Sequence, residues 1–193
     1  RLEATELLVS ESCLAALLSL RPDATAAAES IAGGRALFFG VDSPLSQALS
    51  IGMEGRVTGT EFDRLEAFFL SRGAPVVISL CPLADPSLLN LLAGRGYRTT
   101  HYEHTMVRSL AQLPRLPEVA IHRVEALEAE MWSYTVMKGF ADGGAISSDL
   151  VELFGCFFHA ESASAYFARI QGQIAGGASM SAHRAVAMFY GDA

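Results

Sequence analysis

The sequence holds no apolar run long enough to matter to a membrane. Residues 14–20 are far too short to span a bilayer and include polar Ser19. No basic segment with a small-residue cleavage site precedes them, so no secretory leader is expected. Cysteine is sparse. Cys13, Cys81 and Cys156 are odd in number, widely spaced and never in a CxxC pair. That argues against a disulfide framework and a zinc site, and points to a reducing, cytoplasmic compartment. Positive charge is thin as well, with 14 basic against 21 acidic residues, a net charge of −7 and no Lys/Arg run. Phosphate backbones need clustered positive charge, so no nucleic-acid partner is expected. No GxSxG, P-loop or HExxH pattern occurs, which removes the sequence support for hydrolase and NTPase readings.

What is present is a core-forming composition, 51% hydrophobic and 18% charged over 193 residues, enough for one large domain or two small ones. The clearest punctuation is Pro114 and Pro117, three residues apart, which favour an extended connection. We therefore divide the chain into residues 1–110, a linker at 111–117, and residues 118–193.

In the first part, residues 3–20 read as a helix, and the alanine-rich stretch 24–28 is assigned to helix. Gly33 and Gly34 precede a short strand at 36–39, and a second strand runs from Ser43-Pro44 through Met53. Thr58 and Glu61 have capping-box spacing, followed by Phe62, Leu65, Phe68 and Phe69 at helical intervals and a stop at Gly73. Residues 76–80 read as a central buried strand. Asp85-Pro86 opens a helix over 87–93, and residues 97–110 read as one or two strands. The second part reads as a strand (119–124), a helix with the apolar stripe Leu127, Met131 and Tyr134, a loop at Asp142-Gly143-Gly144, and a helix capped by Ser148. Three strands follow at 165–170, 174–181 and 185–191.

That second-half order, strand, two helices, then a three-strand meander, resembles the front of the GNAT superfamily of N-acetyltransferases. The likeness is carried by residues 165–178 (AYFARIQGQIAGGA) and 185–192 (AVAMFYGD), which resemble the family's strand, glycine turn, and strand opening on small residues and glycine. In the first half, LLAGRGYR at 91–98 resembles the family's helix followed by G-[FY]-[RK] and a strand. The implied fold is α+β: two GNAT-like domains, each a mixed, mostly antiparallel sheet flanked by helices, the second incomplete at Ala193.

The resemblance also implies chemistry. The family holds the pyrophosphate of acetyl-CoA on an [RQ]-x-x-G-x-[GA] loop at a helix N-terminus, where N–H groups and the helix dipole attract anions. In the first half the matching stretch is Arg56 to Glu61, and Glu61 stands where a small residue belongs. A carboxylate there would repel phosphate, so the first domain is expected not to bind acetyl-CoA. In the second half the loop is expected just past Ala193. The implied reaction transfers an acetyl group from acetyl-CoA to an amine of a small molecule or peptide. Gly191, Asp192 and Ala193 would meet the thioester arm, and Asp192 would take the acceptor's proton. Trp132, Phe140 and Tyr190 would line the acceptor pocket, with Tyr190 on the face of Asp192 under strict alternation. A second copy could cover an incomplete sheet, making a homodimer.

Other signals carry a plainer meaning. His101 and His104 sit three apart on an expected strand, pointing to opposite faces, so no metal site is expected. Asp192 at a strand end also suits a turn or cap, Trp132 and Phe140 suit core packing, and Cys81 suits a structural thiol. The rival to an enzyme is a non-catalytic GNAT-like module that acts through ligand or partner contacts.

Overall fold

The computed structural model describes residues 1–111, 119–141 and 144–193. The linker prolines Pro114 and Pro117, and Asp142 and Gly143 of the expected loop, lie outside the described residues. The architecture is α+β, with two antiparallel sheets, of three and four strands, and five α-helices among the described residues.

α1 (Leu2–Leu20) comes first and is apolar on more than one side, burying Val9, Cys13, Leu14, Ala16 and Leu17. The first sheet follows in the order β1 (Ala27–Ile31), β2 (Gly34–Phe38), β3 (Gln47–Leu49). Alternation along β2 sends Leu37 to one core cluster, with α1, and Ala36 and Phe38 to another, with α2. The β1–β2 hairpin turns at Ala32 and Gly33, both at positive φ (48° and 77°), as a tight two-residue turn requires. Strand β1 overturns the helical assignment of 24–28. Alanine's helix propensity yields here to pairing of Ala27 with Phe38 and Ala28 with Leu37.

The strand expected through Met53 ends at Leu49, where Ser50 takes φ 58° and Gly52 φ 74°. Residues 76–80 are not a central strand. They touch β3 through one parallel bridge, Ala48 with Ile78, and stay half-exposed at the sheet's edge. Residues 97–110 form no strand, and Tyr102, Met106 and Val107 are exposed. β-propensity describes a pleated, half-buried surface, and without a pairing partner it produces no strand.

Helix α2 (Gly59–Leu70) keeps its expected face, burying Phe62, Leu65, Phe68 and Phe69 against the first sheet. α3 (Pro86–Gly94) begins at the Asp85 cap with proline in its first turn.

The second sheet has the order β4 (Ala120–Arg123), β5 (Ala163–Ile170), β6 (Gln173–His183), β7 (Val186–Tyr190). Between β4 and β5 lie α4 (Ala129–Phe140) and α5 (Ser148–His159), packed on one face of the sheet and on each other. The β5–β6 turn is Gln171 and Gly172, again both at positive φ. Two expectations shift by one position. The cap of α5 is Ser147, whose hydroxyl accepts from the Leu150 N–H at 3.2 Å. The stripe Leu127, Met131, Tyr134 is exposed, Leu127 fully so, and α4 buries Trp132, Ser133, Val136 and Met137 instead.

α1 joins the halves of the chain. It packs on α5 and on β7, and the core cluster it anchors takes in Leu37 and Leu49 from the first sheet and Trp132, Phe157 and Phe167 from the second half. No helix among the described residues is long and apolar enough to cross a membrane.

Candidate functional site

Three strands in antiparallel register deliver the end of β7 to the C-terminal turn of α4. The ladder is regular through Ser179–Tyr190. Beyond it Gly191 takes φ 55°, and the next pairing is between Gly177 and Ala193, through Gly177 N–H to the Ala193 carbonyl at 2.9 Å and Ala193 N–H to the Gly177 carbonyl at 3.0 Å. The β7 side therefore carries one residue more than β6 over this stretch, a bulge that bends the strand and leaves a residue outside the ladder. Ala193 gives both backbone groups to Gly177, so Gly191 and Asp192 are the positions where the chain departs from its neighbour.

Three glycines make room for this. A Cβ on Gly139 would lie 2.2 Å from the Ala193 Cβ, and one on Gly176 would lie 2.6 Å from the Ala193 carbonyl oxygen. A Cβ on Gly177 would sit 3.1 Å from the Trp132 indole nitrogen and from Val136. Of the sequence-derived site residues, Gly191, Asp192 and Ala193 thus come together with Trp132 and with the last turn of α4, which ends at Phe140.

The aromatic residues divide. Trp132 is fully buried beneath β6 and donates its indole N–H to the Tyr166 carbonyl at 3.3 Å. Phe140 is half-exposed and packs on Phe154 with ring centroids 6.1 Å apart. Tyr190, half-buried, packs into the core on the helix side of the sheet. Asp192 instead lines a hollow of about 620 Å³ on the other side, with Ile121, Ala168, Met180 and Phe189. The shared face expected for Tyr190 and Asp192 is lost, because the bulge at Gly191 interrupts the two-residue alternation on which it depended.

Sequence reasoning missed Glu6. It lies on α1, which packs on β7, and it is one of the charges acting on Tyr190, whose phenol burial pushes well above its usual range. Burial, with Glu3 and Glu103 nearby, raises the Glu6 carboxyl from 4.5 to about 7. A carboxyl of that pKa can exchange protons near neutral pH, whereas an ordinary exposed carboxylate is a weak base there. Nothing in the sequence marks Glu6 off from the other acidic residues of α1, since its environment comes from tertiary packing.

At the first-half loop, Arg56, Val57, Thr58 and Gly59 border a hollow of about 320 Å³ with Ser87 and Asn90. At the α2 N-terminus there, a capping box takes up the Thr58 and Glu61 N–H groups. Glu61 accepts from the Thr58 N–H at 2.8 Å and the Thr58 hydroxyl at 2.7 Å, and its own N–H donates back to Thr58 Oγ1 at 3.2 Å. These bonds hold the Glu61 carboxyl below its ordinary value. Among the described residues no group of three His, Cys, Asp or Glu is placed to hold a metal ion.

Compared with known proteins, the chain matches no family model, no curated protein and no solved structure.

Proposed function

We propose that this chain contributes to a GNAT-like N-acetyltransferase that moves an acetyl group from acetyl-CoA to an amine of a small molecule or peptide. The observation that carries the reading is the end of β7: a meander behind two helices whose last strand bulges at Gly191 and separates from β6 over Gly191 and Asp192. A thioester needs backbone groups not already spent in a ladder. Gly191 and Asp192 are suited to that role, and Ala193, bonded twice to Gly177, is not. When bound, acetyl-CoA supplies the activated acyl group. The chain's own part is to align it and to accept the proton of an ammonium acceptor.

Two carboxyl groups compete for the proton. Asp192 lies beside the bulge, on the open face of the sheet. Glu6 lies on α1, on the helix side, where its charge reaches Tyr190, and has the better-matched pKa. Amide chemical-shift mapping with acetyl-CoA tests the reading. Changes centred on Gly191 and Asp192 are expected, and changes confined to other strands would contradict it.

A second reading has its own support. The capping box on α2 takes up the Thr58 and Glu61 N–H groups and sets the Glu61 carboxylate where a pyrophosphate would sit, so the first half acts as scaffold. If the second half also fails to take acetyl-CoA, the chain is a non-catalytic GNAT-like module.

A further inference from the structure

We propose that Cys13 and Cys156 form a reversible disulfide that staples α1 to α5. Cys13 and Cys156 are both almost completely buried, lie in one core cluster, and belong to two helices packed directly on each other. The influence of the Cys156 thiol, together with burial, holds the Cys13 thiol protonated well above its usual range. Both are free thiols, as is Cys81, which is only partly buried. A buried cysteine ordinarily behaves as a small hydrophobe surrounded by hydrocarbon. Here each thiol has the other as its neighbour, across the seam where the N-terminal helix meets the second half of the chain.

The chemistry closes with a peroxide as oxidant. One thiol attacks hydrogen peroxide, forming a sulfenic acid and releasing water. The neighbouring thiol then attacks the sulfenic sulfur, the S–S bond forms, and a second water leaves. The two thiols give up two electrons and two protons, and the peroxide O–O bond takes them up. A dithiol reductant returns both cysteines. Protonation and burial make the first step slow, while a resolving thiol on the helix packed directly alongside favours the second. The bond would join positions about 140 residues apart, a loop length at which cross-linking strongly restricts the unfolded chain. It would also fix α1, and with it Glu6, against β7. The inference stands apart from the acetyl-transfer reading and does not need it.

The test treats the folded protein with hydrogen peroxide, blocks remaining thiols by alkylation, and maps peptides without reduction. The expected product is one cross-linked pair, the Cys13 peptide with the Cys156 peptide, two hydrogens lighter than the free pair and separated by dithiothreitol. The same product should form in Cys81→Ser, which leaves the pair untouched, and the oxidised protein should melt several degrees higher. Three results would overturn the proposal: oxidation of Cys81 with Cys13 and Cys156 still free, sulfinic acids without a cross-link, or a cross-link that appears only in denaturant.

Discussion

Ala193 and Gly177 exchange two backbone hydrogen bonds, at 2.9 and 3.0 Å, one residue out of step with the ladder that pairs Tyr190 with Ser179. That offset turns the strand at Gly191 and places Tyr190 and Asp192 on different sides of the sheet.

The pairing depends on bare glycine at Gly139, where a Cβ would approach the Ala193 Cβ to 2.2 Å. Gly139→Val should therefore expel the terminal segment from β6. We expect fast hydrogen exchange at the Ala193 and Gly177 amides, with little change in melting temperature, because the segment lies at the sheet's periphery. Unchanged protection at both amides would remove this account of the bulge.

Glu6 gives a pH signature. Its folded pKa, about 7, lies above the ordinary 4.5, so the folded state binds the proton more tightly than the unfolded chain. Stability from this group is complete below about pH 4.5 and is lost as pH rises through 7. After discounting for its partial exposure, the loss is about 1–2 kcal/mol. Glu6→Gln should flatten stability against pH across that window and be the more stable protein at pH 8. Denaturant unfolding at a series of pH values measures it, and parallel curves for the two proteins would refute it.

At the first-half loop, Thr58→Ala removes a cap whose side chain and backbone both bond Glu61. The expected cost is about 1 kcal/mol, read by urea unfolding. The isolated capping box should also leave that loop without affinity for acetyl-CoA, and micromolar binding mapped to Gly59 and Thr60 would contradict this.

α1 should matter to both halves at once. Leu17 is buried in the cluster that spans them, and Leu17→Ala should cost about 2–5 kcal/mol through lost burial and a cavity. Near-ultraviolet circular dichroism and exchange protection in the first and second sheets should fall together on heating. Loss in one sheet alone would show that α1 does not couple them.

Much of this was legible in the sequence wherever a local rule decides the outcome. Thr58 with Glu61, Asp85 with Pro86, and the Gln171-Gly172 turn each appear where their chemistry predicts. Failures came where pairing or packing decides. Ala27 and Ala28 became strand because Phe38 and Leu37 lie opposite them. Residues 97–110 have strand composition but no partner strand. On α4, two apolar stripes overlap one residue apart, and period alone cannot choose between Met131–Tyr134 and Trp132–Val136. The sheet chose the second, where Gly177 leaves space for the indole. At the site, the strand order that brings the end of β7 beside β6 was legible. The separation of Tyr190 from Asp192 was not, because a bulge has no period, and Glu6 was invisible because its partners lie on distant segments.

The most direct measurement follows free thiol released from acetyl-CoA by the full-length protein against a panel of amines, with Asp192→Asn and Glu6→Gln alongside. We predict thiol release that depends on both amine and protein and falls at least tenfold in one of the two variants. No amine-dependent release from any member of the panel, with no acetyl-CoA binding, would contradict the assignment and leave the non-catalytic module.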